Sequence, residues 1–219
     1  MTHMQHSPTL SVCVFCGARP GVSPAMTRAA EEVGRLIGER GHRLVYGGGG
    51  SGLMGSVAWS AFHAGAPITG VIPAFLAERE RSIAAPPQSV ELSHTMNDRK
   101  QSMLGHADVF LALAGGYGTL DEVLDVLSLR YLGMLRKPIV LLDVEGCWDQ
   151  LENLVADVHV RGYAQNSLEP LYEVRTTPTS ALSTLEHQWS ATFANPAATR
   201  AVPVGSIDPA GRRLAVEPL

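Results

Sequence analysis

Two short clusters of residues in this chain could act on an anionic substrate. Arg99-Lys100 stands just after Asn97 at a helix start, and Thr119-Leu120-Asp121-Glu122 follows the turn Gly115-Gly116-Tyr117-Gly118. Glycine lets the main chain take positive φ and approach a ligand closely. Free N–H groups and the dipole at a helix N-terminus then favour an anion, with phosphate the natural candidate. Two cations in a first turn oppose that dipole. They read either as a solvated surface pair or as counter-charges to a bound anion. Lys100 and Lys137 are the only lysines in the chain.

Glu122 also has two readings. Thr119 with Glu122 three residues on has the spacing of a capping box, each side chain bonding the other's backbone N–H. A carboxylate beside a phosphate loop can instead stabilise positive charge on a ribose, or orient water towards its anomeric carbon. Neighbouring helix residues point about 100° apart, so Asp121 and Glu122 do not form the facing carboxylate pair of ordinary glycosidases. Glycosidic chemistry here would rest on one main carboxylate with cationic help.

A second glycine run, Gly47-Gly48-Gly49-Gly50-Ser51-Gly52-Leu53-Met54-Gly55, contains the spacing GxGxxG. Close helix-on-sheet packing and ligand contact explain it equally well. A dinucleotide dehydrogenase would place an acidic residue near the end of the next strand. That strand ends Val71-Ile72-Pro73, without one, and GxxxxGK[ST] is absent.

The elements that must position these residues alternate. Apolar runs at 10–15, 44–46, 68–72, 109–113 and 139–142 read as strands, with a short extended piece at 90–92. Helical spacing runs from Ser23-Pro24 to Gly41, then over 53–64, 97–106 (capped by Asn97), 119–132, 148–160 and 179–188. Between 73 and 90 the pattern is mixed. The alternation predicts an α/β fold: a single-domain, Rossmann-like, doubly wound parallel sheet with helices on both faces. Ligands then sit beyond the carboxyl ends of the strands, at the turns after Phe15, Tyr46, Ile72 and Leu113. Residues 1–9 are expected to be a flexible N-terminus, 10–189 the catalytic domain and 190–219 a loose, Pro- and Ala-rich tail.

Composition narrows the class. The 219 residues are 45% hydrophobic and 17% charged, with a net charge of −4, which argues against a nucleic-acid grip. No apolar run nears the ~20 residues of a membrane span. Residues 1–8 lack a secretory pattern, so cytoplasmic retention is expected. Cys13, Cys16 and Cys147 read as reduced thiols. Without HExxH or paired CxxC spacing, no metal site is expected, and no cofactor.

Gly115–Glu122 resembles the PGGxGTxxE signature of the Lonely Guy family, and Met96-Asn97-Asp98-Arg99-Lys100 its MxxRK element. Val14-Phe15-Cys16-Gly17, Tyr46-Gly47-Gly48-Gly49, Gly52-Leu53-Met54-Gly55 and Gly70-Val71-Ile72-Pro73 extend the match over about 10–188. The resemblance implies a phosphoribohydrolase acting on nucleoside 5′-monophosphates, usually a homodimer with active sites completed at the interface. It implies Arg99 and Glu122 as the catalytic pair. It implies Gly115, Gly116, Tyr117, Gly118 and Thr119 as the phosphate loop, with Glu80, Lys100, Asp121 and Ser128 as further substrate-binding positions. Arg99 is expected to help hold Glu122 ionised. Ala114 replaces the signature proline, so a looser loop entry is expected. The rivals are a non-catalytic nucleotide-binding module, a pyridoxal-dependent lysine decarboxylase needing a Schiff-base lysine, and a dinucleotide oxidoreductase.

Overall fold

The computed structural model describes residues 9–80, 84–165 and 170–193, with side chains omitted at 78–80 and 193. The strands are β1 (Ser11–Phe15), β2 (Arg43–Tyr46), β3 (Ile68–Pro73), β4 (Ser89–Ser93), β5 (Val109–Ala112), β6 (Ile139–Leu142) and β7 (Glu173–Arg175). The helices are α1 (Pro24–Glu39), α2 (Gly52–His63), α3 (Ala74–Glu80), α4 (Met96–His106), α5 (Tyr117–Tyr131), α6 (Asp149–Val160) and α7 (Pro178–Phe193).

All strands are parallel, in the order β4-β3-β2-β1-β5-β6-β7. The chain winds one way from β1 to β4, then crosses back to β5 and winds the other way. That reversal is the doubly wound topology, with its switch point between β1 and β5.

Strand alternation splits the core into two layers. Val12 and Val14 of β1 face α1, α2 and α7, joining Val33, Ile37, Val57, Leu182 and Leu185. Cys13 and Phe15 face the other way, joining Met103, Val123, Val126, Trp148 and Leu151 of α4, α5 and α6. Central strands buried on both faces read as unbroken apolar runs, which is why β1, β5 and β6 were legible.

Ser23 caps α1 by accepting from the Ala25 N–H, with Pro24 in the first turn. Gly34 lets α1 lie against α2, since a Cβ there would collide with the Val57 carbonyl. Three elements differ from expectation. α3 follows Pro73 directly, inside the mixed stretch. β7, with the charged sequence Glu-Val-Arg, adds a three-residue edge strand in register with Val140–Leu142. α7 continues to Phe193, past the expected start of the tail at 190. Residues 1–8 and 194–219 lie outside the described residues, as do the side chain of Glu80 and residues 81–83. No helix among the described residues is long and apolar enough to cross a membrane.

Candidate active site

The turns that follow β1, β2, β3 and β5 meet at the carboxyl edge of the sheet. Gly17 N–H donates to the Ala114 carbonyl (3.1 Å), and Met54 N–H donates to the Gly17 carbonyl (3.2 Å). The first of these bonds ties the entry of the 115–119 loop to the β1 turn.

α5 starts at Tyr117, two residues earlier than expected, and its cap residue is Gly116. Glycine has no side chain to satisfy the first-turn N–H groups. The Thr119–Glu122 capping box is therefore not formed. Thr119 is buried and folds back over Gly115, where a Cβ would strike its side chain. Gly115 to Gly118 are exposed, and Tyr117 is 93% exposed. The result is an open helix N-terminus, suited to an anion.

Freed from capping, Glu122 turns inward to 8% exposure. Its carboxylate lies 3.4 Å from Nη1 of Arg99. Arg99 is anchored independently: Nε donates to the Val71 carbonyl (3.1 Å) and Nη2 to the Gly47 carbonyl (3.4 Å). The guanidinium thus spans the carboxyl ends of β2 and β3 and reaches the acid on α5. α4 itself is capped by Thr95, not Asn97. Thr95 Oγ1 accepts from Asp98 N–H and Asp98 accepts from Thr95 N–H, both at 3.0 Å. The negative charge of Asp98 eases the two cations that follow it.

Arg99 acts on Glu122 in the expected direction, favouring the ionised form, but burial outweighs it. Desolvation raises the Glu122 carboxyl, Arg99 offsets only part of the rise, Asp121 adds to it and Lys100 subtracts, leaving it at about 7. A group near pH 7 is suited to proton transfer. Because the folded pKa exceeds the unfolded 4.5, native protein binds this proton more tightly. The stability it contributes is complete below pH 4.5 and is lost as pH rises through 7. Glu122→Gln should therefore gain on the parent by about 3 kcal/mol between pH 4.5 and 8. Urea titrations at both pH values measure this, and a pH-independent difference would contradict it.

Lys100 bridges Asp121 (3.1 Å) and Asp125 (3.6 Å) across to α5. Burial lowers its pKa, but the hydrogen bond it donates to Asp121 and the charge of Asp125 outweigh that and raise it overall. Ser128 lies seven residues beyond Asp121 on the same helix face, about 10 Å further along, and is exposed. Cys13 and Cys16 are free, buried thiols whose pKa burial pushes up. Among the described residues no group of three or more His, Cys, Asp or Glu could hold a metal ion.

The role of Gly47 was not legible. A Cβ there would land on the Arg99 guanidinium, so the first glycine of GxGxxG makes room for an arginine fifty-two residues away. Gly47→Ala is expected to fold within about 1 kcal/mol of the parent, because a flexible side-chain end can yield. It should displace Arg99 and reduce kcat/KM on the order of 100-fold. Parental activity in a folded Gly47→Ala protein would show that the guanidinium's seat is dispensable.

The fold and these turns define a Rossmann-like α/β protein with a glycine-rich loop at its switch point. A family model described as "Possible lysine decarboxylase" matches residues 54–185. The cytokinin riboside 5'-monophosphate phosphoribohydrolase LOG7 of Arabidopsis thaliana is 44% identical over 140 residues, 64% of each chain. The probable cytokinin riboside 5'-monophosphate phosphoribohydrolase LOGL2 of Oryza sativa subsp. japonica is 37% identical over 175 residues, 80% of this chain and 71% of the relative. The chain belongs to this family, the Lonely Guy family. It spans less than two thirds of several relatives, 64% of LOG7 among them. The Moco carrier protein from Chlamydomonas reinhardtii superposes with a TM-score of 0.63 at 21% identity, over 84% of this chain and 99% of that one. At that identity the likeness is one of fold.

Proposed function

We propose that this chain hydrolyses the N-glycosidic bond of a nucleoside 5′-monophosphate, AMP or isopentenyladenosine monophosphate, to a free base and ribose 5-phosphate. The observation that carries this reading is the buried Glu122 carboxylate, 3.4 Å from an anchored Arg99, beside the uncapped start of α5. The phosphate seats on the amides of residues 115–119. The ribose then faces Glu122, whose carboxylate form stabilises the oxocarbenium-like transition state and accepts a proton from attacking water. The C1′–N bond breaks with its electron pair leaving on the base, water oxygen bonds to C1′, and the proton taken by Glu122 passes through solvent to the base nitrogen. Arg99 holds phosphate or ribose. Glu80, Lys100, Asp121 and Ser128 contact the remainder of the substrate.

The decarboxylase description fits the lysines poorly. Lys100 is held by two aspartates. Burial pushes the pKa of Lys137 down, but Lys137 stands just before β6, at the opposite edge of the sheet from the glycine loops, and its ammonium donates to the Leu104 carbonyl of α4 (2.8 Å).

The protein acts in the cytoplasm as a homodimer whose second copy completes the site. Supporting the dimer, Tyr117, Leu120, Leu124 and Tyr131 form an exposed apolar stripe along α5. Sedimentation giving only the 23.4 kDa monomer mass would remove the dimer.

Incubation with a panel of nucleotides and nucleosides, followed by chromatography, tests the activity. Free base with equimolar ribose 5-phosphate is expected from the monophosphates. Nucleotide binding without base release would indicate a non-catalytic binding module instead.

A further inference from the structure

The β1–α1 turn carries an arginine for which the fold has no internal use. Its main chain is pinned on several sides. Gly17 N–H bonds to Ala114, and Gly17 carbonyl accepts from Met54. Ser51 Oγ donates to the Ala18 carbonyl at 3.1 Å. Gly52 presses on the Ala18 carbonyl and the Arg19 nitrogen so closely that no Cβ fits between. The Arg19 carbonyl and the Gly115 Cα both lie within 3.3 Å of where a Gly17 Cβ would sit. Residue 19 is therefore fixed beside the entry to the 115–119 loop, on the β1 side of the switch-point crevice where ligands bind in such sheets.

The side chain shows the opposite behaviour. Arg19 is exposed, and among the described residues no hydrogen bond or ion pair holds its guanidinium. Among the described side chains of the edge, the cations Arg99 and Lys100 are engaged, Arg99 by two carbonyls and Glu122, Lys100 by Asp121 and Asp125. The phosphate loop itself offers only main-chain amides and the hydroxyl of Thr119. Among the described side chains, a dianion seated there finds an unengaged counter-charge in Arg19, whose backbone is held.

We propose that Arg19 is a phosphate-binding, specificity-determining residue. Its planar guanidinium closes over the 5′-phosphate from the β1 side and gives the site its preference for nucleotides over nucleosides. This rests on the reading of the site given above. An exposed arginine without a partner among the described residues is suited to that task, because no internal contact must break when the anion arrives.

Titration calorimetry with ribose 5-phosphate, AMP and adenosine, at low ionic strength, tests it on parent, Arg19→Ala and Arg19→Lys proteins. Arg19→Ala should weaken both phosphorylated ligands about tenfold or more, leave adenosine unchanged and melt at the parent's temperature. Arg19→Lys should recover part of the loss, keeping charge without the two-pronged geometry. In turnover the effect should fall on KM, with kcat within about twofold. Equal affinity of parent and Arg19→Ala for ribose 5-phosphate, an equal loss for adenosine, or unfolding of Arg19→Ala would each overturn the assignment. If the parent itself bound no phosphorylated ligand, the reading of the whole site would fall with it.

Discussion

Glu122→Gln is expected to bind ribose 5-phosphate as the parent does and to lose about a thousandfold in kcat. The amide fills the same volume, and Arg99 keeps its bonds to the Val71 and Gly47 carbonyls. The scaffold of the site therefore survives. What disappears is the charge that offsets a ribosyl cation and the atom that takes a proton from water. The parent should show an acid limb in kcat/KM that climbs with pH through about 7, because the buried carboxyl sheds its proton there. The variant's residual rate should lack that limb. Parental turnover, or an acid limb that persists without the carboxyl, would place the chemistry on another group.

Gly52→Ala is expected to destabilise the fold by about 3–5 kcal/mol. Gly52 has φ +55°, and an added Cβ would meet the Ala18 carbonyl carbon and the Arg19 nitrogen. The left-handed conformation alone costs an L-residue about 1–2 kcal/mol. The larger part comes from main chain meeting main chain, since the 17–19 turn is bonded to both Ala114 and Met54 and has little freedom to retreat. Gly52→Asn, which tolerates the angle, should rescue little. Urea unfolding measures both variants, and a loss below about 1 kcal/mol for Gly52→Ala would mean that the turn yields after all. The contrast with Gly47 is instructive. Both glycines belong to one GxGxxG run, yet one excludes a flexible side-chain tip and the other a fixed backbone.

The layered fold was readable because its central strands are apolar on both faces and α1 begins at a Ser-Pro cap. β7 escaped because Glu173 and Arg175 are only partly buried at the sheet edge, where polar residues satisfy the ladder as well as valine does. α3 escaped because seven residues give too little periodicity. The helix starts were misplaced at Asn97 and Thr119 for related reasons. In each case a better or earlier cap was available, Thr95 in one and Gly116 in the other. The residues of the candidate site were named from motifs, but their relations were not. That Glu122 is buried, that Lys100 is shared by two aspartates, and that Gly47 seats Arg99 all depend on segments far apart in the chain.

The bare glycine that precedes α5 leaves that helix unfinished. Helices α1 and α4 carry their own capping side chain, Ser23 and Thr95. On the reading proposed above, a bound phosphate plays that part, and the first-turn N–H groups gain a partner only in the occupied protein. Occupancy should therefore be felt as tightening along the α5 backbone and a higher melting point, even for an inert sugar phosphate on which no bond is ever broken.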